Sequence, residues 1–422
     1  MRESPEAGHV LIVAYHYPPE NIVGAQRPFR FAKYLPEFGY RVSILTAAPQ
    51  GNGAARNVHY VPDQASGRRS LWELVIRKFV LDGEVGLPWV APAIRSSRAL
   101  AAREGVTAVI STSPPPVTHA VALALKRSCG AAWIADFRDP MVGNPLRTNL
   151  AAPYVDRVFE RQIFRHADAV IANTDAVAEL WRKRYPKWAG KISVVWNGFD
   201  SAAGVSAAPI PARAYRTLVH TGVICRGRYP VALLAGLDRL AQRGLIDSSK
   251  LRIQFIGGLD PRAITDAQPA RRLEAMGILE WIPPMPGADA RRAMAEADYS
   301  LLLDLVCPGA GLQLPSKVFD YVRIGRPILA SSVRNSPAAR ILERCGVPNV
   351  VVYEDDAPEA IEGSILAFLE LSSDPTPPSE WFCASFDAVA QTRTLATILD
   401  GFEPHRLGRA RMCPALEGQP TP

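Results

Sequence analysis

At 422 residues, 48% hydrophobic and 21% charged, the chain is too long for one ordinary core and too apolar for wholesale disorder, and it suffices for two α/β domains of roughly 180–200 residues each. Its net charge of +7 suits nucleic acid, an anionic membrane face or phosphorylated small molecules, and the lack of any nucleic-acid module signature sets the first aside. The longest apolar runs, such as Val10–Ala14 and Leu301–Leu303, fall far below the ~20 residues of a bilayer-spanning helix, and Met1–Gly8 lacks an apolar signal core. Six cysteines (129, 225, 307, 345, 383 and 413) without short metal-type spacing argue against zinc and disulfides, so a cytoplasmic protein is expected.

Short apolar, β-branched runs at 9–14, 41–46, 107–111, 131–135, 168–172 and 192–196 read as strands with amphipathic segments between them. That alternation predicts a parallel sheet covered on both faces by helices. From Phe199 to Ala214 the pattern gives way to Ala, Gly, Ser and Pro, a linker composition. It restarts at 217–221, 251–256, 278–282, 298–303, 327–330 and 349–353. The expected layout is an N-terminal domain over 1–200, a linker over 201–214, and a C-terminal domain over 215–384. A terminal helix over 385–404, packing back on the N-terminal domain, and a disordered tail over 405–422 complete it. The fold class is α/β, two tandem Rossmann-like doubly wound domains with an interdomain cleft; in such sheets ligands sit beyond the carboxyl ends of the strands.

The first strand runs through a loop containing Gly24 into a helical pattern. Neither GxGxxG nor GxxxxGK[ST] is present, so Gly24 is either a point of close backbone approach to an anionic ligand or part of a plain βα turn. Past the strand at 107–111, a Ser-Pro-rich turn leads to His119, which either bonds a sugar hydroxyl or simply opens a helix. The next strand ends in Asp136-Phe137-Arg138-Asp139. Its two carboxylates either bind acceptor hydroxyls and act as bases or form a self-neutralising network.

In the second half Gly222 closes a strand, and Arg226 and Arg228 follow before a helix near Pro230, a pairing that suits a diphosphate. The sharpest local pattern is Leu314–Ala330, where Pro315 opens a short helix and Gly325 ends it. Lys317 and Asp320 share one face of that helix. They read as a phosphate contact with a ribose contact one turn on, or as a plain ion pair worth about 0.2–0.5 kcal/mol.

Six segments in order, Tyr15–Thr46, Ile110–Arg127, Trp133–Pro140, Val194–Asp200, His220–Leu237 and Leu314–Ala330, together resemble the family 4 glycosyltransferases of GT-B fold. The resemblance implies a retaining, hexosyltransferase-like enzyme. A nucleotide-diphospho-sugar would be held mainly by the C-terminal domain, and a glycan, lipid-linked or other hydroxyl acceptor mainly by the N-terminal one, in surface polysaccharide or glycoconjugate synthesis. It places the family's phosphate contacts on Arg228, with Arg226 beside it, and on Ser316 and Lys317. The ribose acid falls on Asp320, the sugar-contacting histidine on His119 and the flexible cleft loop on Gly24. The first acid of the family's paired-glutamate motif would fall on Leu312, which cannot do that work; either Gln313 or a backbone group substitutes, or activity is altered.

No DxD or HxH pattern is present, so neither a bridging metal nor a cofactor beyond the donor substrate is expected. The competing readings are a sugar-nucleotide epimerase or phosphorylase on the same architecture, and a non-catalytic scaffold subunit. Two segments, Leu71–Leu81 and Arg182–Trp188, combine bulky apolar residues with cations and suggest peripheral contact with the inner face of the cell membrane. They read equally as a core helix and a solvated face.

Overall fold

The computed structural model describes residues 8–20, 22–47, 56–63, 86–145, 147, 152–307 and 309–402. The apolar segment Leu71–Leu81 and the tail over 405–422 lie outside the described residues.

Strand β1 (Gly8–Ala14) is buried along almost its whole length, and β4 (Ala108–Ser113), β5 (Ala132–Phe137) and β6 (Ala169–Ala172) are buried throughout. Such runs lack the in–out alternation of a half-exposed strand because helices cover both faces. With β2 (Tyr40–Thr46), β3 (Val58–Tyr60) and β7 (Ile192–Val194) they form a seven-stranded parallel sheet in the order β3-β2-β1-β4-β5-β6-β7. The second sheet contains β8 (Arg216–Thr221), β9 (Leu251–Ile256), β10 (Leu279–Ile282), β11 (Tyr299–Leu303), β12 (Ile328–Ser332) and β13 (Asn349–Tyr353). Its order is β10-β9-β8-β11-β12-β13, again parallel. Both sheets are doubly wound, as the alternating apolar runs predict. The short edge strand β3 was not expected.

The chain divides into two units, 1–197 with 388–422, and 198–387. The stretch expected as a free linker therefore belongs to the second unit, and its bonds show why. Ala208 N donates to Ala295 O at 2.9 Å, and Arg326 Nη2 donates to Ala208 O at 2.8 Å. Arg213 Nη2 reaches Glu296 O at 2.7 Å and Asp298 at 3.0 Å.

The single terminal helix expected from 385 onward is two. One spans Glu380–Phe386, and Asp387 in extended geometry (φ −64°, ψ 141°) separates it from Ala388–Asp400. The latter belongs to the first unit, where Leu395, Ala396 and Leu399 join the core formed by Val10, Ile12, Phe31 and Ile134. Trp196 N donates to Gln391 Oε1 at 2.6 Å, and the Tyr40 hydroxyl donates to Asp400 at 2.6 Å. The second unit's core is built on Leu233, Leu237, Ile253, Leu301 and Phe368.

Candidate functional site

In each sheet the strand order reverses beside the first strand, between β1 and β4 and between β8 and β11. Such switch points open a crevice at the carboxyl ends of the two strands. In the second unit that position holds Thr221-Gly222 at the end of β8 and Leu303-Asp304 at the end of β11.

Three loops meet there. Val306 N donates to Gly227 O at 2.7 Å, tying the loop after β8 to the loop after β11, while Ile224 N donates to Gly258 O at 2.8 Å. Gly257 follows β9 at φ +140°, and a Cβ there would overlap the Gly222 carbonyl, so only glycine fits. The buried His220 lies under Gly222: a Cβ on Gly222 would stand 3.5 Å from its Nε2. Its Nδ1 pairs with Leu301 O at 3.0 Å. Burial pulls the His220 pKa down to about 4, and the charges of Arg228 and Lys317 push the same way. Two cations from separate elements thus lie within electrostatic reach of His220, the residue beneath Gly222.

Arg228 has no side-chain hydrogen bond or ion pair among the described residues, and its Nε is buried without a partner. Lys317 stands in the first turn of the helix Lys317–Ile324, 3.4 Å from Asp320, and both side chains are about one-third exposed. Ser316 is half-buried at the start of that helix and makes no capping bond. The helix is fixed to the crevice by Tyr321, whose buried hydroxyl accepts from Thr221 N at 3.0 Å and has its pKa raised to about 12. Gln313 is buried nearby in sequence, and Leu312 is half-buried. Arg226 is exposed, and its charge is felt at Cys307 rather than at His220.

The sequence reading missed His220 as part of this site, and also Asp304. Ser332 Oγ and Leu305 N each bond the Asp304 carboxyl at 2.8 Å. Burial still pushes its pKa up, although those bonds and the charge of Arg228 oppose the shift. The available signal was a His and an Asp closing two strands that flank a switch point.

In the first unit three expectations are corrected. His119 is not presented to a ligand: it is 2% exposed, with Nδ1 2.8 Å from Ser111 Oγ and Nε2 2.9 Å from Ser113 Oγ. Trp133 Nε1 donates to Ser111 Oγ at 2.7 Å. The assignment that satisfies every group has Ser111 donating to Nδ1 and Nε2–H donating to Ser113, a neutral ring. Burial holds its pKa down at about 3.

Asp136 is fully buried and clamped by Arg27, whose Nη2 and Nε donate at 2.7 and 3.0 Å, while Thr112 Oγ1 donates at 2.8 Å. It is half of a structural ion pair and not a base open to an acceptor. Gly24 lies not in a loop but in the first turn of the helix Val23–Tyr34, with the Arg138 guanidinium packed where its Cβ would be. Asp139 is half-buried and lines a pocket with Ser113, Pro114, Asn144 and Arg147. Arg147 makes a bidentate pair with Asp156 at 2.6 and 2.8 Å.

Residues 26–203 match the family model for Glycosyltransferase Family 4. A D-inositol 3-phosphate glycosyltransferase from Nocardiopsis dassonvillei is 27% identical over 188 residues, a match covering 41% of this chain and 42% of that protein's length. The crystal structure of HepE from Anabaena in complex with UDP-glucose superposes with a TM-score of 0.61 at 13% identity, covering 93% of this chain and 100% of the other. Sucrose-phosphate synthase from Thermosynechococcus elongatus gives 0.60 at 15% identity, with 94% and 96% covered. At these identities the structures establish the two-domain GT-B fold.

Proposed function

We propose that this chain, a GT-B glycosyltransferase of the family 4 type, transfers a sugar with retention from a nucleotide-diphospho-sugar to a hydroxyl acceptor. The observation that carries the reading is that Arg228 and Lys317, from separate elements, both act on His220 beneath the Gly222 turn, with Arg228 lacking a side-chain partner among the described residues. An Arg228 so unpaired and a Lys317 whose one partner among the described residues is the partly exposed Asp320, set beside a glycine turn and a helix N-terminus, fit a diphosphate. Asp320, one turn into the helix, is positioned for the ribose hydroxyls, and Gln313 or a backbone group takes the role that Leu312 cannot fill. The acceptor, a glycan, lipid-linked or other hydroxyl compound, enters at the pocket of Asp139 and Asn144.

In the reaction the bond from the anomeric carbon to the diphosphate oxygen breaks while the acceptor oxygen bonds to the same face. The acceptor proton passes to the departing phosphate, whose developing charge Arg228 and Lys317 stabilise. No protein nucleophile takes part, and no metal is needed to neutralise the leaving group. The setting is cytoplasmic synthesis of surface polysaccharide or glycoconjugate, at the inner face of the membrane when the acceptor is lipid-linked. The Leu312 departure favours one second reading, a non-catalytic scaffold subunit, which turnover by the purified chain would exclude.

UDP-glucose, the ligand of the HepE structure, is the first probe, followed by a thermal-shift screen of UDP-, GDP- and ADP-sugars. For the donor so found, Arg228→Ala and Lys317→Ala should each cost about 1.5–3 kcal/mol, roughly 10- to 160-fold in Kd. Unchanged affinity in both variants by calorimetry would remove the assignment.

A further inference from the structure

Two thiols, far apart in sequence, come together where the loops after β8 and β11 meet. Cys225 opens a tight turn, in which Arg228 N donates to Cys225 O at 3.0 Å. Cys307 lies beyond the end of β11, and the residue before it holds that turn: Val306 N donates to Gly227 O at 2.7 Å. Gly227 stands in the left-handed region at φ +82°, and a Cβ on it would lie 2.7 Å from Cys307 Sγ and 3.2 Å from Cys307 Cβ. The turn therefore lays its bare glycine against the Cys307 side chain, with Cys225 two residues away. Burial pushes the Cys307 pKa up, and charge on the Cys225 sulfur pushes the same way.

Both thiols are free and only half-buried, so a small oxidant reaches them. Cys129 and Cys345 instead give their thiol hydrogens to the carbonyls of Leu125 and Leu342, at 3.2 and 3.3 Å. A search for short cysteine spacings passes over the pair because it is assembled by the fold. In a reducing compartment such a pair is a transient, redox-sensing disulfide rather than a permanent staple.

We propose that Cys225 and Cys307 form a reversible disulfide, with a peroxide as the oxidant, and that the bond switches off diphosphate binding. One thiolate attacks a peroxide oxygen, the O–O bond breaks, and the departing hydroxide takes up the thiol's proton as water. The second thiolate attacks the resulting sulfenic sulfur, the S–S bond forms, and the S–O bond breaks with release of a second water. Each sulfur gives up one electron, and the peroxide takes both. A small thiol reverses the step by exchange and is itself oxidised to its disulfide. A disulfide holds its sulfurs about 2 Å apart and its Cβ atoms about 4 Å apart. Bonding to a sulfur that now rests on Gly227 draws Cys225 across that glycine and displaces Arg228, the last residue of the turn. The pairing stands apart from the transfer reading, whereas its effect on binding rests on the role proposed for Arg228.

The experiment treats the full chain with stoichiometric hydrogen peroxide and measures inorganic pyrophosphate binding by calorimetry before oxidation, after it, and after dithiothreitol. Oxidation should lower the mass by two hydrogens and leave a tryptic product joining Thr217–Arg226 to Ala293–Lys317. Pyrophosphate affinity should fall at least about tenfold, the loss of one charged contact. Dithiothreitol should restore both. Cys225→Ser and Cys307→Ser should each bind pyrophosphate as the reduced wild type does, yield no joined product and keep their affinity under peroxide. A wild-type chain that gives no joined product, or one through other cysteines, overturns the pairing. A joined chain that binds pyrophosphate undiminished overturns the switch. If the reduced chain fails to bind pyrophosphate, the diphosphate reading falls and the switch with it, while the joined product still reports on the pairing.

Discussion

Replacing Asp136 by Asn separates chemistry from architecture at the end of β5. Arg27 is 3% exposed and gives its Nε and Nη2 to the Asp136 carboxylate, with further bonds to Val195 O, Trp196 O and Asn197 Oδ1. The substitution removes the only carboxylate among those acceptors and leaves a buried guanidinium uncompensated, a loss of about 3–5 kcal/mol. For a unit of this size that corresponds to a melting temperature roughly 6–20 °C lower. The double variant Arg27→Met/Asp136→Leu should recover part of the loss, since apolar replacement of both partners is far less costly than removal of one. Recovery stays incomplete because the carbonyls of Val195 and Trp196 lose their donor. The assay is thermal and urea unfolding followed by the first unit's tryptophans, alongside donor affinity at a temperature where the variant is folded. If Asp136→Asn melted like the wild type yet abolished turnover, the carboxylate would be a reacting group and the structural argument would fail.

The buried histidines make stability depend on acid. The folded pKa is about 3 for His119 and about 4 for His220, below the ~6.5 of an unfolded histidine, so the unfolded chain takes up the proton first. Stability is full above pH ~6.5 and falls as pH is lowered through the window beneath it, by up to about 1.4 kcal/mol per pH unit for each residue. Denaturant unfolding should show each unit losing about 2 kcal/mol between pH 7 and 5. His119→Gln and His220→Gln should flatten the respective profiles; equal stability at both pH values in the wild type would contradict neutral burial. Gly257→Ala, which forces a Cβ onto the Gly222 carbonyl at positive φ, should destabilise the second unit by more than about 1 kcal/mol and weaken donor binding, and calorimetry with both quantities intact would refute the close-approach reading. Chelator should leave the transfer rate unchanged, whereas activity lost with EDTA and restored by magnesium or manganese would replace the cation-assisted departure with a metal-assisted one.

The parallel sheets were legible because their strands are short apolar runs at regular spacing, a signal that burial on both faces writes directly into sequence. Val58–Tyr60 escaped because three residues on a sheet edge carry too little pattern. The Lys317–Asp320 pair was legible because helical spacing fixes i,i+3 neighbours locally. His119 and Asp136 were misread for the opposite reason. Whether a polar side chain faces a ligand or a buried partner depends on contacts made elsewhere, and the Arg27 that claims Asp136 lies 109 positions away. Ser111 and Ser113, two apart on one strand and therefore on one face, were a local hint that His119 was spoken for. The strap over 201–214 carries linker composition, but Arg213 and Arg326 anchor it through bonds to positions as many as 118 residues distant, which composition does not reveal.

The helix Ala388–Asp400 leaves the ribosome after everything it packs against. The second unit is one uninterrupted stretch, 198–387, and can complete itself during translation. The first unit meanwhile waits with Val10, Ile12 and Phe31 lacking the side chains of Leu395, Ala396 and Leu399. A nascent chain halted just short of Ala388 would therefore hold a complete second unit and a first unit with an open apolar groove, the kind of surface that chaperones hold and proteases find. A stop codon just ahead of Ala388 should thus deplete the protein as thoroughly as one far upstream, for the missing helix closes the half that was made first.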